Sequence, residues 1–181
     1  MKKDYIIFGL LIIFFTISCS KINQYVSECD EISNEEEKIY CYQEIAKSKV
    51  EPGVCDRIAQ LEERDICYWE VHEIAVETGD INICKKINDK ETKIICLREI
   101  AINEGEPALC KELLSSEERE PCYEIIAKDK KDVNICRKIA DYTSRSLCYY
   151  DIRTLTRNPN VCDELKEQAE RRACYETEVI I

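Results

Sequence analysis

The 181 residues are enough for one or two ordinary domains, and a 45% share of aliphatic, aromatic and cysteine residues excludes a disordered chain. A formal charge of -11 repels phosphate backbones, which argues against nucleic acid as a partner. Four Gly and four Pro are too few for a β-sandwich or a loop-rich knottin. The dominant Glu, Lys, Ile, Arg and Ala favour helices instead.

The chain begins with a short charged stretch, Met1 to Tyr5, that holds two lysines. Ile6 to Ile17 follows without a charge, and Ser18-Cys19 comes next. A membrane-spanning helix needs about 20 apolar residues, so this run is too short to span; its layout is that of a secretory signal peptide. Thr16-Ile-Ser-Cys19 resembles the lipobox of prokaryotic lipoproteins, with Thr16 standing where an aliphatic residue is usual. The resemblance implies that Cys19 is lipidated and becomes the mature amino terminus. The expected organisation is a signal peptide over 1–18, a lipidated tether over 19–26 and a helical-repeat domain over 27–181. The expected compartment is extracytoplasmic, at the cell surface or in the periplasm, with a membrane anchor.

Thirteen cysteines carry the next signal. With Cys19 set aside, twelve remain, an even number that leaves no thiol unpaired. Cys29–Cys41, Cys55–Cys67, Cys84–Cys96, Cys110–Cys122, Cys136–Cys148 and Cys162–Cys174 each enclose eleven residues. The gaps between pairs are thirteen residues, lengthened to sixteen between Cys67 and Cys84. A spacing that never varies is one that geometry holds, so each pair is expected to close on itself. The same spacing defines a 26-residue repeat, stretched once to 29, and a period of that size means stacked supersecondary units.

Each unit reads as two helices. In the first, aliphatic residues lie one before and three after the Cys: Val54/Ile58, Ile83/Ile87, Leu109/Leu113, Ile135/Ile139 and Val161/Leu165. That i, i+4 stripe predicts a helix of about two turns. Asp80 and Asp132 are its candidate N-caps, and Pro52, Pro107 and Pro159 fit a first turn. The second helix starts with polar residues, as in the capping-box pattern Ser115-Ser-Glu-Glu118. It continues with Cys, then Tyr or Leu, then an aliphatic at +4; Tyr42/Ile45 and Tyr149/Ile152 are examples. Antiparallel packing of the two puts the cysteines opposite one another, within disulfide reach.

The expected fold is an all-α solenoid of six disulfide-stapled hairpins. Its architecture resembles that of secreted cysteine-rich proteins built from Sel1-like repeats, whose period and cysteine spacing differ, and no residue roles carry over. Helices this short are marginal in water, and each staple is worth roughly 2–3 kcal/mol.

Zinc sites use close ligand pairs such as C-x2-C, and haem attachment needs C-x-x-C-H. Neither occurs, so no metal and no cofactor are expected. An enzyme built on a Cys–His or Ser–His–Asp mechanism would have to use His72, the single histidine, and no catalytic residues are assigned. His72 lies beside Trp69 and the three-residue extension, so these two are candidate binding residues, as is Tyr150, displaced from the Tyr column by its neighbour Tyr149. The expected function is a membrane-anchored protein that binds a protein or a cell-envelope component, against a ligand-free structural spacer. Glu28 and Glu35-Glu-Glu-Lys38 give the first unit a polar, cap-like character. The chain ends apolar, at Val179, Ile180 and Ile181.

Overall fold

The structure is a computed structural model that describes residues 21–176. Cys19 with the signal-peptide reading, and the apolar end Val179–Ile181, lie outside the described residues. Every regular element within them is helical: the chain is an all-α repeat of disulfide-stapled hairpins. A helix over 21–30 (α1) begins inside the segment read as tether and buries Val26 and Cys29. The long second helices are α2 (Glu35–Lys49), α3 (Leu61–Thr78), α5 (Lys90–Asn103), α6 (Ser116–Lys130), α8 (Tyr142–Thr156) and α9 (Gln168–Glu176).

Two of the short first elements are α-helical, α4 (Ile81–Lys86) and α7 (Val133–Cys136). Three are 3-10 helices, over Pro52–Arg57, Leu109–Glu112 and Pro159–Glu164. They are shorter than the two turns the stripe predicts. The reason lies in the aliphatic three after the Cys. Ile58, Leu113 and Leu165 are extended residues just past the helix, with ψ of 117°, 133° and 132°. An extended backbone drops these side chains into the core, where a continued helix would rotate them along its side. All three are buried. Pro52 and Pro159 open their 3-10 helices, whereas Pro107 lies in the turn before the third.

The disulfides close as the spacing predicts. Cys29–Cys41, Cys55–Cys67, Cys110–Cys122, Cys136–Cys148 and Cys162–Cys174 have Cα separations of 5.7, 5.7, 5.9, 5.8 and 5.8 Å. Cys84 and Cys96 are disulfide-bonded as well. So many disulfides belong to an oxidising, extracytoplasmic compartment. No helix among the described residues is long and apolar enough to cross a membrane.

Helix starts follow the sequence. Asn34 accepts the Glu37 N–H, Asp132 that of Asn134 and Asp141 that of Ser144. Ser115 and Glu118 form the full capping box. Helix ends follow a rule the composition hides. Val50, Lys131 and Arg157 take left-handed φ of 52–54°, nine residues after the second Cys, and Gly105 does the same at 59°. The next N–H reaches back to close a Schellman motif, as Glu51 does to Ala46 at 2.9 Å. In the second repeat the left-handed residue is Gly79, at φ 66°. Measured back from that cap, Ala75 stands where Ala46, Ala101 and Ala127 stand in their repeats. The three extra residues therefore lengthen α3 itself.

Two compact units emerge, and each is described by itself. The first holds residues 21–78 and 82–92. Here α2 packs on α3 and on the 52–57 helix around Tyr42, Val54, Ile58, Tyr68, Val71 and Ile87. The second holds 79–81 and 93–176. Here α6 packs on α8 and α8 on α9, burying Ile126, Ile139, Tyr149, Ile152 and Leu165.

Candidate functional site

In α3, α5 and α6 the Cys and the residues 1, 4 and 5 places later are all buried, and α2 and α8 turn the same side inward. At 100° per residue, the position just before the Cys then faces directly outward. In chain order that position holds Tyr40, Ile66, Ile95, Pro121, Leu147 and Ala173. All are apolar, in a chain with 35% charged residues. Tyr40, Ile66, Pro121 and Leu147 are exposed; Ile95 and Ala173 are half-buried. A solvated helix face would carry Glu and Lys there.

In the first unit this outward position gains a neighbour. Trp69 is one helical turn on from Ile66, so the two share a face of α3. Both are 46% exposed, and Tyr40 on α2 is 63% exposed. His72 lies against Trp69 with ring centroids 4.6 Å apart at 48°. Its side chain is buried, in the core column held by Ala46, Ala101 and Ala127 elsewhere. Trp69 and His72 thus come together as a surface indole on a buried imidazole. Tyr150 belongs to the second unit and is half-buried on α8. The Arg153 guanidinium lies 5.8 Å from its ring centroid and 5.2 Å from that of Tyr175, and donates to the Cys174 carbonyl at 3.1 Å. Tyr150 is therefore one wall of an arginine cage. Among the described residues no three His, Cys, Asp or Glu side chains gather as metal ligands.

Two further columns went unread in the sequence: the residue after each first Cys, which partners the Tyr column, and a basic residue before each second Cys. The residue after the first Cys meets the residue after the second. Tyr42 donates to Asp30, Tyr68 to Asp56, and Tyr175 to Asp163 at 2.8 Å. Arg137 reverses the polarity, its Nε donating to the Tyr149 hydroxyl at 3.1 Å. Burial, reinforced by Asp30, pushes the Tyr42 hydroxyl up to about 12; burial and Asp56 raise that of Tyr68 further. The second column lies three residues before the second Cys, always basic: Lys38, Arg64, Lys93, Arg119, Arg145 and Arg171. Arg145 shows its use. Nη1 donates to the Ile139 carbonyl at 2.7 Å, while Nε and Nη2 hold the buried Glu170 carboxylate. The signal for both columns was present in an alignment of the six repeats.

These columns line two grooves in the second unit. One, of about 310 Å³, lies among Arg137, Arg145, Tyr149, Glu164, Lys166 and Glu170. The other, of about 190 Å³, lies one repeat earlier, among Lys111, Ser116, Arg119, Glu120, Tyr123 and Lys138. In the first unit a 270 Å³ hollow lies between Ile22 and Val26 of α1 and Val54 and Arg57. No known protein family, curated protein or solved structure matches the chain.

Proposed function

We propose that the chain is a lipid-anchored extracytoplasmic repeat protein that binds another protein or a cell-envelope component through the outward faces of its long helices. The Ile66–Trp69 pair on α3 carries this reading: two large apolar side chains, each 46% exposed, share one helix face. Leaving such surface in water has a free-energy cost that covering it removes. The anchor rests on Thr16-Ile-Ser-Cys19 and on the short apolar run before it.

A photo-crosslinking residue at position 40, with the full chain in native membranes, tests the binding. Discrete adducts are expected, and they should disappear in Ile66→Glu/Trp69→Glu. An unchanged adduct pattern, or none with the wild-type face, would leave the spacer reading. Cys19→Ala should move the protein from the membrane to the soluble fraction.

A further inference from the structure

The two grooves of the second unit are copies of one another, a repeat apart. Lys111 corresponds to Arg137, Arg119 to Arg145, Tyr123 to Tyr149 and Lys138 to Glu164. Their charge is balanced differently. In the later groove every cation of these columns is used internally. Arg137 pairs with Glu164 at 2.9 Å and donates to Tyr149, and Arg145 holds Glu170. In the earlier groove Glu164 is replaced by Lys138, and Glu170 by Ser144. The side chains of Lys111, Arg119 and Lys138 then have no hydrogen bond or ion pair among the described residues. The one carboxylate present, Glu120, accepts from the Ala140 and Asp141 N–H groups, both at 3.1 Å.

A second observation points into the same groove. Tyr123 is only 6% exposed, and its hydroxyl has no partner among the described residues. The equivalent hydroxyls of Tyr42, Tyr68, Tyr149 and Tyr175 are all hydrogen-bonded. The Tyr123 ring is nearly buried while the residue lines the groove, so its hydroxyl is open to a partner held there.

We infer that this groove binds a phosphate-like oxyanion group carrying about two negative charges. Three cations, a tyrosine hydroxyl and the Ser116 hydroxyl converge from the 109–112 helix, α6 and the segment after α7. The guanidinium fork of Arg119 matches two oxygens of a tetrahedral oxyanion, and the lysines supply compact charge. A volume of about 190 Å³ admits a phosphate and a few attached atoms but no peptide segment. The oxyanion has two sources, a soluble phosphate or phosphate ester and a lipid headgroup.

Calorimetric titration of the full, disulfide-intact chain with inorganic phosphate, and co-sedimentation with phosphatidic acid against phosphatidylcholine vesicles, test the site. Lys138→Glu rebuilds the self-neutralised groove, and Arg119→Gln removes the fork. Each should weaken binding by about tenfold or more, the factor one charge-assisted hydrogen bond is worth, with an unchanged helix spectrum. Binding of inorganic phosphate assigns the group to a soluble oxyanion. Phosphatidic acid preference without phosphate binding, lost in Lys138→Glu, assigns it to a headgroup. Absence of both in the wild type, or wild-type binding by folded Lys138→Glu and Arg119→Gln, overturns the inference.

Discussion

The unit holding residues 21–78 and the unit holding residues 93–176 use the same repeat positions with different chemistry. In the first, the residues after the paired cysteines are Asp and Tyr, twice over, and each hydroxyl donates to a carboxylate. In the second, Lys111 and Tyr123 leave the position open, Arg137 and Tyr149 reverse donor and acceptor, and Asp163 and Tyr175 return to the first pattern. The backbone hardly notices, since the Cα separations across Cys29–Cys41, Cys55–Cys67, Cys110–Cys122, Cys136–Cys148 and Cys162–Cys174 stay between 5.7 and 5.9 Å. The staple and the buried aliphatics therefore define the hairpin, and the side chains beside the staple are free to change sign. Binding chemistry can be written there without touching the fold.

The largest expected effect tests the shared part of that comparison. Replacing Cys55 and Cys67 by Ser, or Cys136 and Cys148, releases a loop of the same length in each unit. Each change should cost about 3 kcal/mol in the chain-entropy account, read by chemical denaturation. Full reduction should lower helix content in circular dichroism, because such short helices are marginal alone. A chain that keeps its helices and melting point under reductant would break the hairpin account.

Next comes a feature the second unit owns. Arg145→Met leaves the Glu170 carboxylate buried without its guanidinium and should destabilise by about 3 kcal/mol. Adding Glu170→Met should recover much of that loss, because the uncompensated charge disappears with it. Equal destabilisation by the single and double variants would mean that Arg145 acts through the Ile139 carbonyl instead.

The hairpins, the disulfide pairing and the 26-residue period were legible because strict spacing between cysteines is a distance constraint written directly in the sequence. The form of the short segments was not. Val54 and Ile58 have helical spacing, but whether the chain reaches Ile58 as helix or as extended backbone depends on the depth of the core, which periodicity does not report. The left-handed caps were hidden because Val50, Lys131 and Arg157 fill a position usually signalled by Gly. Trp69 and His72, three residues apart on one helix, do lie against one another, as that spacing implies. Lys111, Arg119 and Lys138 were missed because a lone basic residue looks like solvated surface, and only its partners in the fold give it meaning.

Alkaline pH probes the buried, Asp-paired tyrosines of the first unit next. Tyr42 ionises at about 12 in the folded chain against 10.0 unfolded, because burial and the Asp30 carboxylate disfavour a phenolate. A folded value above the unfolded one means that the stabilisation is complete below pH 10 and is lost as pH rises towards about 12. Tyr68 shifts in the same direction, its hydroxyl held by Asp56. Phenolate absorbance should therefore show late ionisation of Tyr42 and Tyr68, with melting temperature falling across that window. Tyr42→Phe/Tyr68→Phe should flatten the fall.

The smallest effect is the sharpest discriminator, because two chemically identical changes should give different answers. Tyr68→Phe removes a donor from Asp56, a carboxylate that also accepts from Asn88. One acceptor site is left unfilled in a partly buried place, so the loss should be about 1 kcal/mol. Tyr123→Phe removes the hydroxyl of a similarly buried tyrosine, one that has no partner among the described residues. No protein hydrogen bond is lost and the ring still fills its column, so the change in stability should be close to zero in phosphate-free buffer. With phosphate present the order changes: the wild type gains stability through ligand linkage, while Tyr123→Phe gains less. Paired melting curves with and without phosphate read both outcomes. Equal losses for the two substitutions in phosphate-free buffer would mean that the Tyr68–Asp56 bond contributes no more than an unpartnered hydroxyl, and the contrast between the units would fail.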